Sequence, residues 1–519
     1  MAEWSIAPVL KTGEPQGSVG SNPTSSASVP STQSSFFSHA LSPPVSICFS
    51  ALAFAALLAA TPVASGAEIS PEKKSTGIAL NPNIVFIIAD QWRAQAFGHT
   101  GDANARTPNL DALAATSANF VNAVCSPTRA SLLTGQRAIT HGVFMNDTPL
   151  EPDAVTLAKV LRDAGYDTGA IGKWHIDGSG SRSAFIPKER RQGFDYWRVL
   201  DCTHDYNHSA YYGDTPEKKF REGYDAIAQT RDAEQFIRSH AKSEKPFLLW
   251  LAWGPPHDPY QTAPEKYRAM FHAAELKLRA NVPEAIRPEA RKMLAGYYAH
   301  CTALDDCVGD LVRTLREAGL EKNTVVVFTA DHGDLLGSHG GQHKQQPFDE
   351  SVRVPMVLRW PDKIAPGKIT APIGTDDVMP TLLGLCGVKI PKSVEGRDFS
   401  AHLRDKADAP GDAALIVCVT PFGQWIRANG GREYRGIRTA RHTYVRSLDG
   451  PWLLFDNQTD PFQMKNLAGL PEAAELQAAL DTKLKKMLAE AHDEFLPAAD
   501  YIRERGYQVN ETGTVRYKP

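Results

Sequence analysis

Short apolar runs alternate with amphipathic stretches through the middle of the chain. The runs are typical of buried strands and cover residues 83–89, 168–171, 246–253 and 324–330. The amphipathic stretches have the apolar spacing of helices and cover residues 107–120, 156–164 and 297–318. This alternation predicts an α/β fold in which a large, mostly parallel sheet is sandwiched by helices.

Polar residues follow the ends of three predicted strands. Asp90 comes directly after the first strand, and a Gly-Pro-Pro-His turn that ends at His257 follows the third. Asp331 and His332 come directly after the fourth. In sheets of this kind, ligands bind beyond the carboxyl ends of the strands. The sequence therefore predicts a functional site at this edge of the sheet.

The pattern changes near residue 405. Residues 432–444 and 452–455 resemble short antiparallel strands, and residues 476–496 resemble an amphipathic helix. We therefore expect a larger domain over residues 78–405, which carries the strand-end site. A smaller C-terminal α+β subdomain is expected over residues 406–519.

The first 67 residues have the features of an export signal. Residues 17–46 are rich in Ser, Pro and Thr, residues 45–60 are apolar, and small residues follow up to residue 67. A single membrane anchor is the alternative, but it needs about 20 apolar residues. We predict cleavage before Glu68 and a periplasmic or secreted protein without a stable membrane span. The first 40 residues are also consistent with an over-extended start.

Composition narrows the class of protein. The chain has 519 residues, of which 42% are hydrophobic and 22% charged, and this excludes disorder and a polytopic membrane protein. With a net charge of −3, the chain lacks the excess of basic residues that is typical of nucleic-acid-binding proteins. Seven cysteines without a CxxC pair argue against a zinc ribbon. Pairing among Cys202, Cys301, Cys307, Cys386 and Cys418 stays open.

Two segments carry the most specific signal. Residues 125–135 read CSPTRASLLTG, and residues 165–175 read GYDTGAIGKWH. The first matches C-x-P-x-R-x(4)-T-G at every fixed position and resembles the signature of the formylglycine-dependent sulfatases. The second resembles another signature of that family. The resemblance runs from about residue 82 to at least residue 467 and implies an alkaline-phosphatase-like fold, with residues 78–405 as the catalytic domain.

The resemblance implies a specific chemistry at Cys125. In this family a maturation enzyme oxidises the cysteine to formylglycine, whose aldehyde hydrates to a geminal diol. One hydroxyl, held on a divalent metal, attacks sulfur, and the second hydroxyl then expels sulfate. The metal lowers the pKa of the nucleophile and neutralises sulfate oxygens.

Two strand-end carboxylates, Asp90 and Asp331, form a hard oxygen site suited to Ca²⁺, Mg²⁺ or Mn²⁺. The alternative is that both residues cap helices. Gln91, His332 and Cys125 would complete the metal site, for which Ca²⁺ is the favoured ion. Many sulfatases have Asp and Asn where this chain has Gln91 and His332. The Gln/His pair also resembles related phosphonate and phosphodiester hydrolases.

Further catalytic roles follow from the resemblance. Arg129 would bind the metal-site carboxylates or the formylglycine hydroxyl, and Lys173 would bridge formylglycine and a sulfate oxygen. His175 would orient the diol, unless it is a core histidine. His257 is the candidate general acid for the leaving oxygen. Lys344 matches a second sulfate-binding lysine, although an isolated lysine in a Gly-rich loop is usually just solvated; His339 and His343 are weaker candidates.

Substrate specificity is less clear from the sequence. Residues 182–212 form a long insertion rich in Arg and aromatic residues, from which we select Arg182, His204 and Tyr206 as substrate-binding candidates. The insertion forms either a sugar platform or ordinary surface packing. A sulfated carbohydrate is the favoured substrate class.

Three hypotheses about function result. The first is an exported sulfatase that acts on sulfated carbohydrate and depends on a formylglycine-generating maturation enzyme. The second is a formylglycine-dependent phosphonate monoester or phosphodiester hydrolase. The third is a non-catalytic glycan-binding protein, against which the intact nucleophile, metal and lysine set argues.

Overall fold

The fold is described from a computed structural model of the chain. It describes residues 81–121, 123–124 and 128–518. The predicted export signal and Cys125 lie outside these residues.

The chain forms strands and helices in alternation, followed by a strand-rich C-terminal part. The strands are β1 (Asn83–Ala89), β2 (Ala118–Phe120), β3 (Ala123–Val124), β4 (Asp167–Lys173), β5 (Tyr196–Leu200), β6 (Ala210–Tyr211), β7 (Lys219–Phe220), β8 (Phe247–Trp253), β9 (Thr324–Ala330), β10 (Arg353–Val354), β11 (Met356–Arg359), β12 (Gly367–Ile369), β13 (Ile373–Gly374), β14 (Ala413–Cys418), β15 (Tyr434–Thr439), β16 (His442–Ser447) and β17 (Gly450–Asp456). The helices are α1 (Pro108–Ala115), α2 (Thr128–Thr134), α3 (Ala138–His141), α4 (Leu157–Asp163), α5 (Asp225–Ser239), α6 (Glu265–Arg268), α7 (Arg287–Glu317), α8 (Asp349–Val352), α9 (Val378–Cys386), α10 (Ser400–Asp405), α11 (Ala474–Glu490) and α12 (Ala498–Glu504).

A large sheet forms the centre of the fold, with strand order β12-β2-β11-β9-β1-β8-β4-β5. The strands from β9 to β5 in this order run parallel, whereas β11 is antiparallel to both of its neighbours. Strands β1, β8 and β9 are buried along their whole length. Burial on both faces explains why they are continuous apolar runs, and the predicted mostly parallel sheet is confirmed.

Two sets of helices cover the sheet. Helices α1 and α5 pack against the long helix α7, whereas α2 and α4 pack against α9. Helix α7 begins at Arg287, earlier than predicted, with Pro288 in its first turn. Proline suits this position because it lacks the N–H that the first turn leaves unpaired. The residues that follow Pro288 are mostly polar, and they include too few apolar positions for the sequence to predict a helix there.

The helix predicted over residues 107–120 is wrong in its second half. Helix α1 ends at Ala115, and residues 118–120 form β2 between β11 and β12. The Ser117 hydroxyl donates to the Leu113 carbonyl at 2.6 Å, which satisfies one of the last helix carbonyls. Strand pairing at the sheet edge then outweighs local helix propensity.

The C-terminal part contains an antiparallel sheet in the order β14-β15-β16-β17. One face buries Ile437 and Tyr444 against α11, and the other buries Tyr434 and Val445 beside Val352 of α8. Strand β14 was not predicted. The predicted helix over 476–496 is instead α11 followed by a turn and the separate helix α12.

The described cysteines are not paired. Cys202, Cys301, Cys307, Cys386 and Cys418 are all buried and free. The pairing that the sequence left open therefore does not occur among them. Across the described residues, none of the helices combines the length and the apolarity needed to span a membrane.

A buried ion pair connects the C-terminal sheet to the turn after α11. Arg435 of β15 is fully buried and donates to Asp493 at 2.5 and 3.2 Å. Asp493 also accepts from the Tyr501 hydroxyl at 2.8 Å. The chain cannot continue as one helix here because His492 and Phe495 have positive φ angles of 51° and 52°.

We expect Arg435→Ala to lower the free energy of unfolding by about 3 kcal/mol, because it leaves the buried Asp493 carboxylate without its charge partner. Urea denaturation followed by circular dichroism measures the change. Arg441→Ala is the control: Arg441 pairs with Asp456 in solvent, where water screens the charges, so its loss should change the free energy of unfolding far less. Equal effects of the two substitutions would contradict the prediction.

Candidate active site

The strand order brings the predicted residues to one edge of the large sheet. Asp90 follows β1, Asp331 follows β9, Lys173 ends β4, and the turn to His257 follows β8. These four strands are parallel neighbours, so their carboxyl ends lie side by side. Neither Asp90 nor Asp331 directly precedes a helix, which excludes the helix-cap interpretation.

A network of alternating charges occupies this edge. Lys173 Nζ donates to Asp90 Oδ2 at 2.5 Å. The Arg129 guanidinium lies between the two carboxylates, 3.3 Å from Asp90 Oδ2 and 2.9 Å from Asp331 Oδ2. Arg129 also donates to the Lys173 carbonyl at 3.1 Å, which joins α2 to β4. All four side chains are buried, so each charge is compensated mainly by the others.

These contacts set the ionisation of the network. Burial alone would raise the pKa of Asp90, but the Lys173 charge, with a smaller contribution from His257, holds it well below its usual value. Burial alone would lower the pKa of Lys173, but the Asp90 carboxylate outweighs it and raises the pKa to about 12. The carboxylate and the ammonium group are therefore both charged at neutral pH.

His332 extends the network toward Lys344. The His332 Nδ1 atom lies 2.9 Å from the Gly333 carbonyl, which can only accept, so this nitrogen carries the proton. In the neutral ring, Nε2 keeps its lone pair and lies 2.8 Å from Lys344 Nζ and 3.3 Å from Asp90 Oδ1. Burial and the Lys344 charge lower the pKa of His332, which favours this neutral form.

The donor set fits a divalent cation. Ligand atoms of Asp90, Asp331 and His332 lie within 4.8 Å of one another. Asp90 Oδ1 and Gln91 Oε1 are both buried and have no hydrogen-bond partner among the described residues, and unpaired buried acceptors are costly. A cation would satisfy such oxygen atoms, and carboxylate and amide oxygens are the ligands that hard cations prefer.

Gln91 is oriented by two residues that the motifs did not single out. Its side-chain amide donates to Asp334 Oδ2 at 2.7 Å and to the Tyr260 hydroxyl at 3.0 Å. The Tyr260 hydroxyl also donates to Asp334. These bonds fix the amide nitrogen and leave the oxygen as the free acceptor.

His257 is anchored on one side and lies beside the network. Its Nδ1 is 3.1 Å from both the carbonyl and a carboxylate oxygen of Asp258. Burial would raise the pKa of Asp258, but the hydrogen bond and charge of His257 outweigh it and lower this pKa. His204 stacks on His257 with ring centroids 4.8 Å apart. Burial and the Lys173 charge lower the pKa of His204 to about 3.

His175 is held by a second carboxylate. Its Nε2 lies 3.3 Å from Asp147 Oδ1, and burial lowers its pKa to about 3. Arg182 also binds Asp147, through two hydrogen bonds of 2.9 and 2.7 Å. Arg182, predicted to bind substrate, is thus engaged within the protein, although its side chain is 42% exposed.

Tyr206 lies beneath the site. Its side chain is fully buried, and its hydroxyl donates to the carbonyls of Gly254 and Asp258 at 3.3 and 3.2 Å. The structure therefore places Tyr206 under the His257 turn and in edge-on contact with His204. His339 lies apart from the network, stacked on Phe348.

Several site residues were missed or undervalued at the sequence level. Asp258 and Tyr260 follow His257 by one and three residues, and Asp334 follows His332 by two. Asp147 has no such local signal, because only the fold brings it to the site. Thr128 begins α2, and its hydroxyl donates to the Asp331 carbonyl.

A cavity of about 140 Å³ adjoins the charge network. Asp90, Arg129 and His332 form its polar end. The C-terminal subdomain contributes Phe422 and Tyr434 to its wall. The cavity therefore joins the candidate metal-binding residues to a largely apolar surface.

Comparisons with known proteins agree with this arrangement. A family model described as Sulfatase matches residues 82–388, and one described as N-sulphoglucosamine sulphohydrolase, C-terminal, matches residues 337–490. The chain is 44% identical over 439 residues to an ulvan-active sulfatase of Formosa agariphila, covering 82% of this chain and 84% of the relative. An endo-4-O-sulfatase of Bacteroides thetaiotaomicron is 30% identical over 475 residues, covering 80% of this chain and 93% of the relative. A solved Bacteroides fragilis protein assigned as a sulfatase aligns with a TM-score of 0.74 at 31% identity, covering 82% of this chain and 98% of its own.

We expect Ca²⁺, Mg²⁺ or Mn²⁺ to raise the melting temperature of chelator-treated protein. A ligand that binds only the native state stabilises it by about 2.7 kcal/mol at 100 times its Kd. Asp90→Asn keeps the side-chain shape but removes the charge, so the rise should disappear. Asp305→Asn is the control, because Asp305 instead accepts from the backbone of Leu110 in α1 at 2.7 Å. Differential scanning fluorimetry measures the shift, and an unchanged shift in Asp90→Asn would contradict the assignment.

Proposed function

The chain belongs to the sulfatase family and is a sulfuric ester hydrolase, and we propose that it removes O-sulfate from a sulfated carbohydrate with a formylglycine nucleophile made from Cys125. The observation that carries the proposal is a pair of lysines, the buried Lys173 and the partly buried Lys344, on either side of a candidate metal site made of carboxylate and imidazole groups. Two ammonium groups and a divalent cation at one edge of the sheet would form a binding site for a tetrahedral oxyanion.

The substrate class rests on the relatives. The relative with 44% identity is described as ulvan-active, and another is an endo-4-O-sulfatase. We propose a sulfated polysaccharide as the substrate, with ulvan as the first compound to test. The mostly apolar cavity wall that includes Phe422 and Tyr434 is suited to the non-sulfated part of a sugar.

We propose that Asp90, Gln91, Asp331 and His332, together with residue 125, hold one divalent cation, with Ca²⁺ favoured over Mg²⁺ and Mn²⁺. When bound, such a cation lowers the pKa of the nucleophile and neutralises sulfate oxygens. Asp90 and Asp331 supply the negative charge, and Gln91 supplies a neutral oxygen whose direction Asp334 and Tyr260 fix.

Lys173 and Lys344 would bind sulfate oxygens and stabilise the charge that develops there. In this structure Lys173 donates to Asp90 and Lys344 lies on His332 Nε2, so both ammonium groups would exchange part of these contacts for the substrate. Arg129 would stay on the two carboxylates, because its guanidinium is planar and contacts both of them.

His257 would protonate the leaving oxygen. In the imidazolium form, Nδ1–H donates to Asp258 and Nε2–H remains for the substrate. Transfer of the Nε2 proton to the leaving alcohol would give a neutral ring that still donates through Nδ1.

The maturation enzyme and the export of the chain complete the proposal. Formylglycine at position 125 requires a formylglycine-generating enzyme. The resemblance implies that this enzyme acts on the Cys-x-Pro-x-Arg segment. Residues 1–67 stay a predicted export signal, and the periplasm or the exterior is the proposed location. The division at residue 405 likewise stays a prediction.

We expect the protein, co-expressed with a formylglycine-generating enzyme, to release free sulfate from ulvan or another sulfated oligosaccharide. Ion chromatography measures the sulfate, and peptide mass measures conversion of Cys125. Cys125→Ala and protein made without the maturation enzyme are the controls, because both lack the nucleophile. Cleavage of phenyl phosphonate without sulfate release would favour the phosphonate hydrolase hypothesis instead.

We expect His257→Ala to lower kcat about 100-fold on a carbohydrate sulfate, whose poor leaving group needs a proton. The loss on 4-nitrophenyl sulfate should be about tenfold or less, since nitrophenolate leaves without protonation. Steady-state kinetics on both substrates with the same enzyme preparation provides the comparison. Equal losses on both substrates would exclude His257 as the general acid.

A further inference from the structure

We propose that Tyr517, in the C-terminal segment of the chain, is a positioning residue for His175 and acts through Asp147. The inference rests on the proposed function, in which His175 acts on the formylglycine diol. It adds a residue far along the chain that no motif indicated.

The segment around Tyr517 is fixed across two loops of the site. The Val515 N–H donates to the Asn146 carbonyl at 3.2 Å, and the Lys518 N–H donates to the Gly178 carbonyl at 3.0 Å. The Gly180 N–H donates to the Lys518 carbonyl at 2.6 Å. These backbone hydrogen bonds on both sides of Tyr517 therefore fix the position from which its side chain extends.

The Tyr517 hydroxyl lies between two carboxylates. It is 2.7 Å from Asp201 Oδ2 and 3.2 Å from Asp147 Oδ1. Burial raises the pKa of Asp201 to about 6, whereas hydrogen bonds from His175 and Arg182 outweigh burial and lower the pKa of Asp147. Asp147 is thus the carboxylate that stays ionised over the wider pH range.

Asp147 determines which nitrogen of His175 carries a proton. A carboxylate only accepts hydrogen bonds, so the contact at 3.3 Å requires the proton on Nε2. The neutral ring then keeps its lone pair on Nδ1, the nitrogen left to take a proton from the diol. His175 lines the same cavity as Asp90 and His332.

The charged groups around this ring are Lys173, Asp147 and Arg182. Arg182 also holds Asp147, through two hydrogen bonds, but its side chain is 42% exposed to solvent. Tyr517 is the second side-chain support and is anchored by backbone on both sides. Loss of its hydroxyl would let Asp147 shift away from a contact to His175 that is already long.

The first test compares Tyr517→Phe with Tyr507→Phe in the full chain carrying formylglycine. Tyr507 lies in the same segment, and its hydroxyl donates to the Gly142 carbonyl at 3.0 Å instead of to a carboxylate. We expect Tyr517→Phe to lower kcat about tenfold with KM nearly unchanged, while the melting temperature falls because the buried Asp201 loses a hydrogen bond, so kcat is measured well below the unfolding transition. Tyr507→Phe should leave kcat within about twofold of the wild type. Equal kcat in Tyr517→Phe and the wild type would overturn the proposal.

The second test asks whether the effect passes through Asp147. Asp147→Asn should lower kcat about 100-fold or more, because the amide can donate to Nε2 and favour the wrong tautomer. Adding Tyr517→Phe to Asp147→Asn should cost nothing further, since coupled residues are not additive. If the two losses in kcat are additive, Tyr517 does not act through Asp147, and the proposal is overturned. Asp201 would then be the residue through which Tyr517 acts.

A third test is spectroscopic and does not require enzyme activity. In ¹⁵N-histidine-labelled protein, long-range ¹H–¹⁵N spectra report which nitrogen of His175 is protonated, with His175→Gln identifying its signals. We expect Nε2–H in the wild type and in Tyr507→Phe, and a mixture of tautomers in Tyr517→Phe. An unchanged tautomer in Tyr517→Phe would overturn the inference. Sulfate release by the wild type decides the proposed function separately.

Discussion

Two carboxylates, Asp90 and Asp331, lie buried side by side at the ends of neighbouring strands, and their charges need compensation. Isolated buried charges of this kind cost several kcal/mol each. Arg129 from α2 contacts both carboxylates, and Lys173 from β4 contacts Asp90. Because each cation comes from a different element, the order of strands in the sheet and the packing of α2 are both required. Within the part of the chain that the structure describes, the same arrangement leaves Asp90 Oδ1 without a hydrogen-bond partner, where a divalent cation fits.

The supporting residues show how the site is made rigid. Gln91 is oriented by Asp334 and Tyr260, His257 by Asp258, and His175 by Asp147. Each support fixes a direction that the reacting group could not keep by itself. Residues that orient ligands and bases commonly change affinity or rate by 10- to 100-fold when they are removed. The charge network and its supports therefore form one functional unit.

The C-terminal subdomain contributes to this unit as well as to stability. Its sheet places Tyr434 and Phe422 in the wall of the cavity, and Tyr434 donates to the Gln345 carbonyl at 2.7 Å, next to Lys344. The Arg435–Asp493 pair holds the turn after α11 against the same sheet. The sheet therefore contributes side chains to the cavity beside the charge network.

The sequence by itself determined the buried strands and the residues at their ends. Strands buried on both faces must be apolar, so β1, β8 and β9 were visible as runs, and Asp90, His257 and Asp331 as the polar residues beyond them. The two signatures likewise placed Arg129, Lys173 and His175 in one site by resemblance. Tertiary structure decided what local pattern cannot encode. Residues 118–120 became a strand because a sheet edge was available to pair with them. Tyr206 became a buried support, and Asp147 and Tyr517 met although they are far apart in the chain. Hydrogen bonds between distant segments form only when the packed fold brings them together, and no periodicity or motif records them.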